Sequence, residues 1–255
     1  MLLVIDIGNT DITLGVFEDE NLRATWRMAT GIHRLTDEYA VLLLNLLQNR
    51  GIQTSDIKNV ALCSVVPPLT VTFQQLFQRY FDISPLVIAA GVKTGVRILM
   101  DNPREVGADR IVNAAAAHNL YNGPVIIADL GTATTFDTVS REGDYLGGAI
   151  APGIGTAVEA LFLRAAKLPR VELIPPKRAI GTDSVTAMQS GIIFGYVGLV
   201  EGLVTRIQKE LDEKAMVVAT GGFAEIIAKE TSVIDTVNPD LTLIGLRLIH
   251  HMNQS

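Results

Sequence analysis

Two stretches of the chain repeat one pattern of apolar and polar positions. Leu2 to Ile5 and Ile12 to Phe17 are short β-favouring runs split by a Gly-Asn-Thr turn, which predicts a β-hairpin. Val125 to Ala128 leads through Asp129-Leu130-Gly131-Thr132 into Thr134 to Ser140, a second strand–turn–strand. Laid over the N-terminus, Asp129 falls on Asp6, Gly131 on Gly8 and Thr132 on Asn9. A pattern that restarts half-way along 255 residues predicts internal duplication. Two similar α/β domains are then expected to face one another across a cleft, over 1–118 and 119–255, with the boundary near His118 to Gly123.

The intervening periodicities fit that class. Helical spacing runs from Thr36 to Arg50, with Thr36 or Asp37 placed to cap the start and Gly51 the end. Val60 to Val66 predicts a buried strand stopped by Pro67-Pro68, followed by a helix over Thr70 to Tyr80 and a short strand over Leu86 to Ala89. Arg104 to Tyr121 predicts a helix with an alanine-rich face at Ala114 to Ala117. Later, Val185 to Gly202 and Val204 to Glu213 read as helices, Ala215 to Ala219 as a strand, and Phe223 to Lys229 as the helix behind it. Strands alternating with helices argue for α/β architecture.

Composition narrows the function class. With 48% hydrophobic and 19% charged residues the chain can build a real core. The net charge is -6 and no stretch concentrates Lys and Arg, so no nucleic-acid partner is expected. The single cysteine, Cys63, excludes an intrachain disulfide and points to a reducing compartment. Met1 to Ile5 is apolar but runs into Asp6, without the basic start and long apolar segment of a signal peptide, so a cytoplasmic location is expected. The most apolar stretch, Val185 to Val204, carries Gln189, Ser190, Glu201 and four glycines, which favours a buried helix pair over a membrane span.

Five constellations could carry chemistry. In Asp6-Ile7-Gly8-Asn9-Thr10, Gly8 lets the backbone approach a ligand, exposed N–H groups make an anion nest, and Asp6 suits Mg²⁺. The turn is not a Walker A loop, since no Gly-Lys-Ser/Thr stands at the right spacing. Taken alone it is equally an ordinary hairpin turn. Around Asp109-Arg110, a carboxylate that can take a hydroxyl proton stands beside a guanidinium that can bind an anion bidentately. Asp129-Leu130-Gly131-Thr132-Ala133-Thr134-Thr135 repeats the first logic and suits phosphate with a hard cation of low charge. Gly147 to Gly153 reads as a loop too glycine-rich for a strand interior, and Gly221-Gly222 ends a strand where a nucleotide could lie close. The four histidines make no metal-ligand pattern, and no Ser-His-Asp or Cys-His arrangement is legible.

Two Asp-x-Gly hairpins half a chain apart, with a late Gly-Gly, resemble the actin, sugar-kinase and Hsp70 superfamily of duplicated ribonuclease-H-like domains. Asp6 to Thr10, Asn102 to Asn113 (with its Gly-Ala-Asp-Arg block), Gly131 to Asp137, Tyr145 to Gly153 and Ala187 to Gly191 look more narrowly like the type III pantothenate kinases, in order along the chain. The resemblance implies ATP-dependent phosphorylation of pantothenate, the first step of coenzyme A synthesis. It implies that Asp6, Ile7, Gly8, Asn9, Thr10, Asp11, Ile12, Thr13 and Thr132 bind ATP. Gly107, Ala108, Asp109, Arg110 and Ser184 would meet pantothenate, with Asp109 as base. Asp129 would hold a monovalent cation, K⁺ or NH₄⁺, alongside Mg²⁺ carried with ATP. A homodimer is implied too, and no membrane partner. The chain departs from the family pattern at Asp11 (usually Asn), Thr182 (usually Lys), Met100 (usually aromatic) and Ile244 (usually Glu). Asp11 and Thr182 make the nucleotide region more negative. A non-catalytic nucleotide-binding relative is the competing reading, against which the retained Asp6, Asp109 and Asp129 argue; a general sugar or acetate-type kinase is the third.

Overall fold

Among the residues that the computed structural model describes, 1–165 and 167–254, the strands gather into two sheets of one plan. The first holds β1 (Leu2–Ile7), β2 (Asp11–Glu18), β3 (Asn21–Ala29), β4 (Asn59–Ser64) and β5 (Leu86–Val87), in the order β3-β2-β1-β4-β5. The second holds β6 (Arg97–Ile98), β7 (Val125–Leu130), β8 (Ala133–Val139), β9 (Asp144–Pro152), β10 (Met216–Thr220) and β11 (Thr236–Val237), in the order β11-β10-β7-β8-β9-β6. Read from β9 to β11, the second order repeats the first, and β6 is an addition outside β9. In both, the first three strands form an antiparallel meander and the later strands join parallel. The duplication extends to burial: β1 and β7 each bury four residues, half-expose an Asp and bury the last.

Seven α-helices are described: α1 (Thr36–Gln48), α2 (Pro67–Phe81), α3 (Ala108–Leu120), α4 (Ile154–Arg164), α5 (Ser184–Glu210), α6 (Ala224–Ala228) and α7 (Leu241–Met252). The chain divides into two compact units, each with its own core. The first comprises Met1–Gly95, Asn102–Ala116 and the chain from Thr242 onward; the second comprises Val96–Asp101 and Ala117–Leu241. The C-terminal helix therefore groups with the first sheet, where a purely sequential division puts it with the second. In the first unit Ile5, Ile7, Ile12 and Leu14 meet Tyr39 and Leu43 of α1 and Phe73 and Phe77 of α2. In the second, Ile126, Leu130 and Phe136 meet Met188, Ile192, Tyr196 and Val200 along one face of α5.

Several elements differ from expectation for local reasons. Pro67 and Pro68 open α2 instead of merely ending β4, since a helix start needs no N–H there. The cap of α1 is Leu35, whose N–H donates to Glu38 at 2.7 Å, and neither Thr36 nor Asp37 fills that role. Gly107 separates α3 from a one-turn 3₁₀ helix at Pro103–Glu105, so Arg104 lies outside α3. The expected helix pair is one helix, α5, because a single apolar face carries it past its glycines into the core. It is long and apolar enough to cross a membrane by length and composition, but that face packs inside the second unit. Gly147 to Gly153 is no loop: most of it is β9, and Gly148 is there because a Cβ would lie 1.6 Å from the Phe136 carbonyl oxygen.

Candidate active site

In the first unit the sheet itself delivers the carboxylate. Asp6 is the second-last residue of β1, paired with Thr13 of β2 and with Cys63 of β4. The Cys63 thiol donates to its Oδ1 at 3.1 Å. Burial pushes the Asp6 carboxyl up to about 6; the Cys63 hydrogen bond opposes the rise and the negative charge of Asp109 adds to it. Burial, with the charges of Asp6 and Asp109, holds the Cys63 thiol well above its ordinary range, so it serves as a neutral donor.

Asp109 comes from the first turn of α3, where the helix dipole favours a negative side chain. Its Oδ1 accepts the Arg110 backbone N–H at 2.9 Å. The preceding Gly107 is needed for room: a Cβ there would lie 2.4 Å from Asp109 Oδ1. The fold thus brings Asp6 and the Gly107–Arg110 block into one neighbourhood, close enough for their charges to interact.

The first turn, Gly8-Asn9-Thr10, is closed by the Gly8 N–H donating to the Asp11 carbonyl at 2.9 Å. Asn9 and Thr10 are exposed. Ile7 and Ile12 pair with each other and their side chains are fully buried, so neither side chain is available to a ligand. Asp11 forms an ion pair with Arg27 of the neighbouring strand β3, which offsets the extra negative charge that the sequence places here. Thr30, just past β3, donates its backbone N–H to the Thr10 carbonyl at 2.9 Å and its Oγ1 to the Gly8 carbonyl at 2.7 Å.

The second unit repeats this design with a tighter turn. Asp129 sits second-last in β7, opposite Thr135 of β8 and Thr220 of β10. Only Gly131 and Thr132 separate the strands, and the Gly131 N–H donates to the Ala133 carbonyl at 3.0 Å. Two glycine-bearing segments converge on the turn. A Cβ on Gly153 would lie 2.2 Å from the Thr132 carbonyl oxygen. Gly221, at φ +90°, would place one 2.6 Å from Asp129 Oδ1, and the Phe223 N–H donates to the Leu130 carbonyl at 3.2 Å. Thr156 Oγ1, from α4, donates to the Thr132 carbonyl at 2.9 Å.

Ser184 is exposed at the first position of α5, next to Asp183, which caps the helix by accepting from the Thr186 N–H at 3.0 Å. Sequence reasoning passed over Cys63, Arg27, Thr30 and Thr156, because each acts through pairing between elements that no local spacing reveals. It placed Asp137 in a family-like segment without giving it a role; Asp137 is a fully buried carboxylate that accepts from the Tyr145 hydroxyl at 2.6 Å and from the Thr135 hydroxyl at 3.2 Å. Among the described residues no three His, Cys, Asp or Glu side chains cluster as a metal cage. Mg²⁺ carried by phosphates needs only one or two carboxylates, and the residues at each turn meet that requirement.

Comparison with known proteins bears on the family and the fold. The chain is 58% identical to a type III pantothenate kinase of Dehalococcoides mccartyi (strain CBDB1), over 99% of this chain and 96% of that one. Among solved structures, a Baf family transcriptional activator from Campylobacter jejuni superposes with a TM-score of 0.61 at 17% identity, covering 98% of each chain. The inorganic polyphosphate/ATP-glucomannokinase of Arthrobacter sp. strain KM superposes at 0.51 with 13% identity over 99% of each. These likenesses establish the duplicated actin-like kinase fold. The family profile of type III pantothenate kinases matches residues 2–206, and the chain belongs to that family.

Proposed function

We propose that in this enzyme, which phosphorylates pantothenate with ATP on the route to coenzyme A, Asp109 takes the proton from the attacking primary hydroxyl. The observation that carries this is the placement of Asp109 beside Asp6 with room made by Gly107. A carboxylate presented at a helix start can accept a proton while the helix dipole steadies its charge. Arg110 offers a guanidinium for the pantothenate carboxylate, with Gly107 and Ala108 beside it in the same block.

Phosphoryl transfer asks mainly for positioning and charge neutralisation. The backbone of the Gly8 turn, with Asn9 and Thr10, suits phosphate oxygens, and Asp11, Ile12 and Thr13 follow at the start of β2. Thr132 offers the corresponding contact in the second unit. The pairing of Asp11 with Arg27 keeps the nucleotide region from excess negative charge. Asp6 would hold Mg²⁺ and Asp129, among backbone groups, a monovalent cation such as K⁺ or NH₄⁺; these ions supply positive charge near the phosphates when bound. All three carboxylates are kept, which is at odds with a non-catalytic relative.

A homodimer fits α5, whose Gly191, Gly195, Gly198 and Gly202 line one exposed face with open space where each Cβ would stand. A cytoplasmic location fits Cys63, buried and in the thiol form.

Turnover of ATP with pantothenate, with and without K⁺, tests the assignment. Phosphopantothenate should form, faster with K⁺. None at high ATP and K⁺ would remove the kinase reading, and equal rates without K⁺ would remove the cation from Asp129.

A further inference from the structure

The two phosphate turns have a common feature that their own residues do not explain. In each, a threonine from the segment following the third strand of the meander donates its hydroxyl to a turn carbonyl. Thr30, after β3, bonds Gly8 at 2.7 Å; Thr156, after β9, bonds Thr132 at 2.9 Å. We propose that Thr30, and more weakly Thr156, are positioning residues that latch the phosphate turns, holding turn carbonyls on the protein side and away from the nucleotide oxygens. This rests on the reading that those turns hold the phosphates of ATP.

The physical argument concerns which dipoles a turn shows an anion. An anion nest works only when successive N–H groups point inward, and a carbonyl swung toward a phosphate would repel it. A carbonyl that already accepts a hydrogen bond from the protein side is fixed in the outward orientation. Thr30 does this twice, through Oγ1 to Gly8 and through its own N–H to Thr10. The donor is itself anchored. The Tyr39 hydroxyl accepts the Gly31 N–H at 2.9 Å and donates to the Gly31 carbonyl at 3.1 Å. Tyr39 is fully buried against Phe73, with ring centroids 4.9 Å apart. The first turn is thus tied through Thr30 and Gly31 to the core. Thr156 is exposed and has water as a competitor, which makes it the weaker latch.

The test compares Thr30→Val, which keeps the volume and loses the hydroxyl, with Thr30→Ser, which keeps the hydroxyl. Thr30→Val should raise the KM for ATP about tenfold, from a lost hydrogen bond and an orphaned carbonyl. The KM for pantothenate should stay within about twofold, Thr30→Ser should restore ATP to within about twofold, and Thr156→Val should cost about threefold. An unchanged KM for ATP, an equal rise in both KM values, or failure of Thr30→Ser to rescue would each overturn the latch. Should Thr30→Val not fold, Thr30→Ala reads the same constants. Asp6→Asn separates the underlying reading. If it keeps wild-type turnover and ATP KM, the first turn is not the phosphate site and the latch falls with it. If it cripples the enzyme while Thr30→Val and Thr30→Ala do not, the latch alone is wrong.

Discussion

The Cys63 thiol and the Asp6 carboxylate face each other across the parallel pairing of β4 with β1, Sγ to Oδ1 at 3.1 Å. A thiol is a weak neutral donor, and it only partly offsets the burial that lifts Asp6 from 3.8 to about 6. A folded-state value raised above the unfolded one means that the folded chain holds its proton longer. The associated stability is whole below pH 3.8 and is lost as pH rises through about 6.

At neutral pH the ionised Asp6 therefore costs the fold about 3 kcal/mol. Asp6→Asn should lose turnover and gain stability, with the gain growing between pH 4 and 6 and level above pH 7. Urea denaturation at pH 4.5 and pH 8 measures it; an equal gain at both would rule out burial as the cause.

Asp109→Asn should lower kcat by about 10²–10⁴-fold, the usual contribution of a general base, while ATP binding and thermal midpoint hold. Calorimetric titration with ATP alongside turnover separates the two. Near-normal kcat would assign the base elsewhere.

Arg27→Ala should weaken ATP binding by exposing the Asp11 charge beside the phosphate turn, and Asp11→Asn in the same chain should restore it. The ion pair is exposed, so stability should move by less than about 1 kcal/mol. A double variant as weak as the single would mean that Arg27 acts on its own account.

Gly195 separates two states of α5. On a face left to water, Gly195→Ala should stabilise the helix by about 0.5–1 kcal/mol. On a dimer face, Gly195→Leu should halve the mass seen by light scattering and leave the far-ultraviolet circular dichroism unchanged. A dimer that survives Gly195→Leu places its interface on another surface.

The two hairpins were legible because β-branched runs flank an Asp-x-Gly that only a turn accommodates, and their echo carried the duplication. Other elements hid for physical reasons. Strand β3 lies at a sheet edge and alternates with Arg23 and Arg27, so it lacks the apolar run of an inner strand. Strand β9 is glycine-rich because the Phe136 backbone leaves no room for a side chain, a constraint set by its neighbour. Helix α7 is apolar enough to notice, yet its grouping with the first unit depends on contacts such as Gly245 against the Val112 carbonyl. The candidate carboxylates could be picked out individually; their support by Cys63 and Thr30 depends on strand order.

The tie from Tyr39 to Gly31 changes how the interior of the first unit should behave over time. Tyr39 and Phe73 belong to the same aromatic stack that fills the sheet–helix layer. Loosening that stack, as Phe73→Leu would, should register as a temperature-dependent loss of nucleotide affinity well before the chain melts. Sequence drift in this part of the interior is then limited by what the enzyme does with ATP as well as by folding.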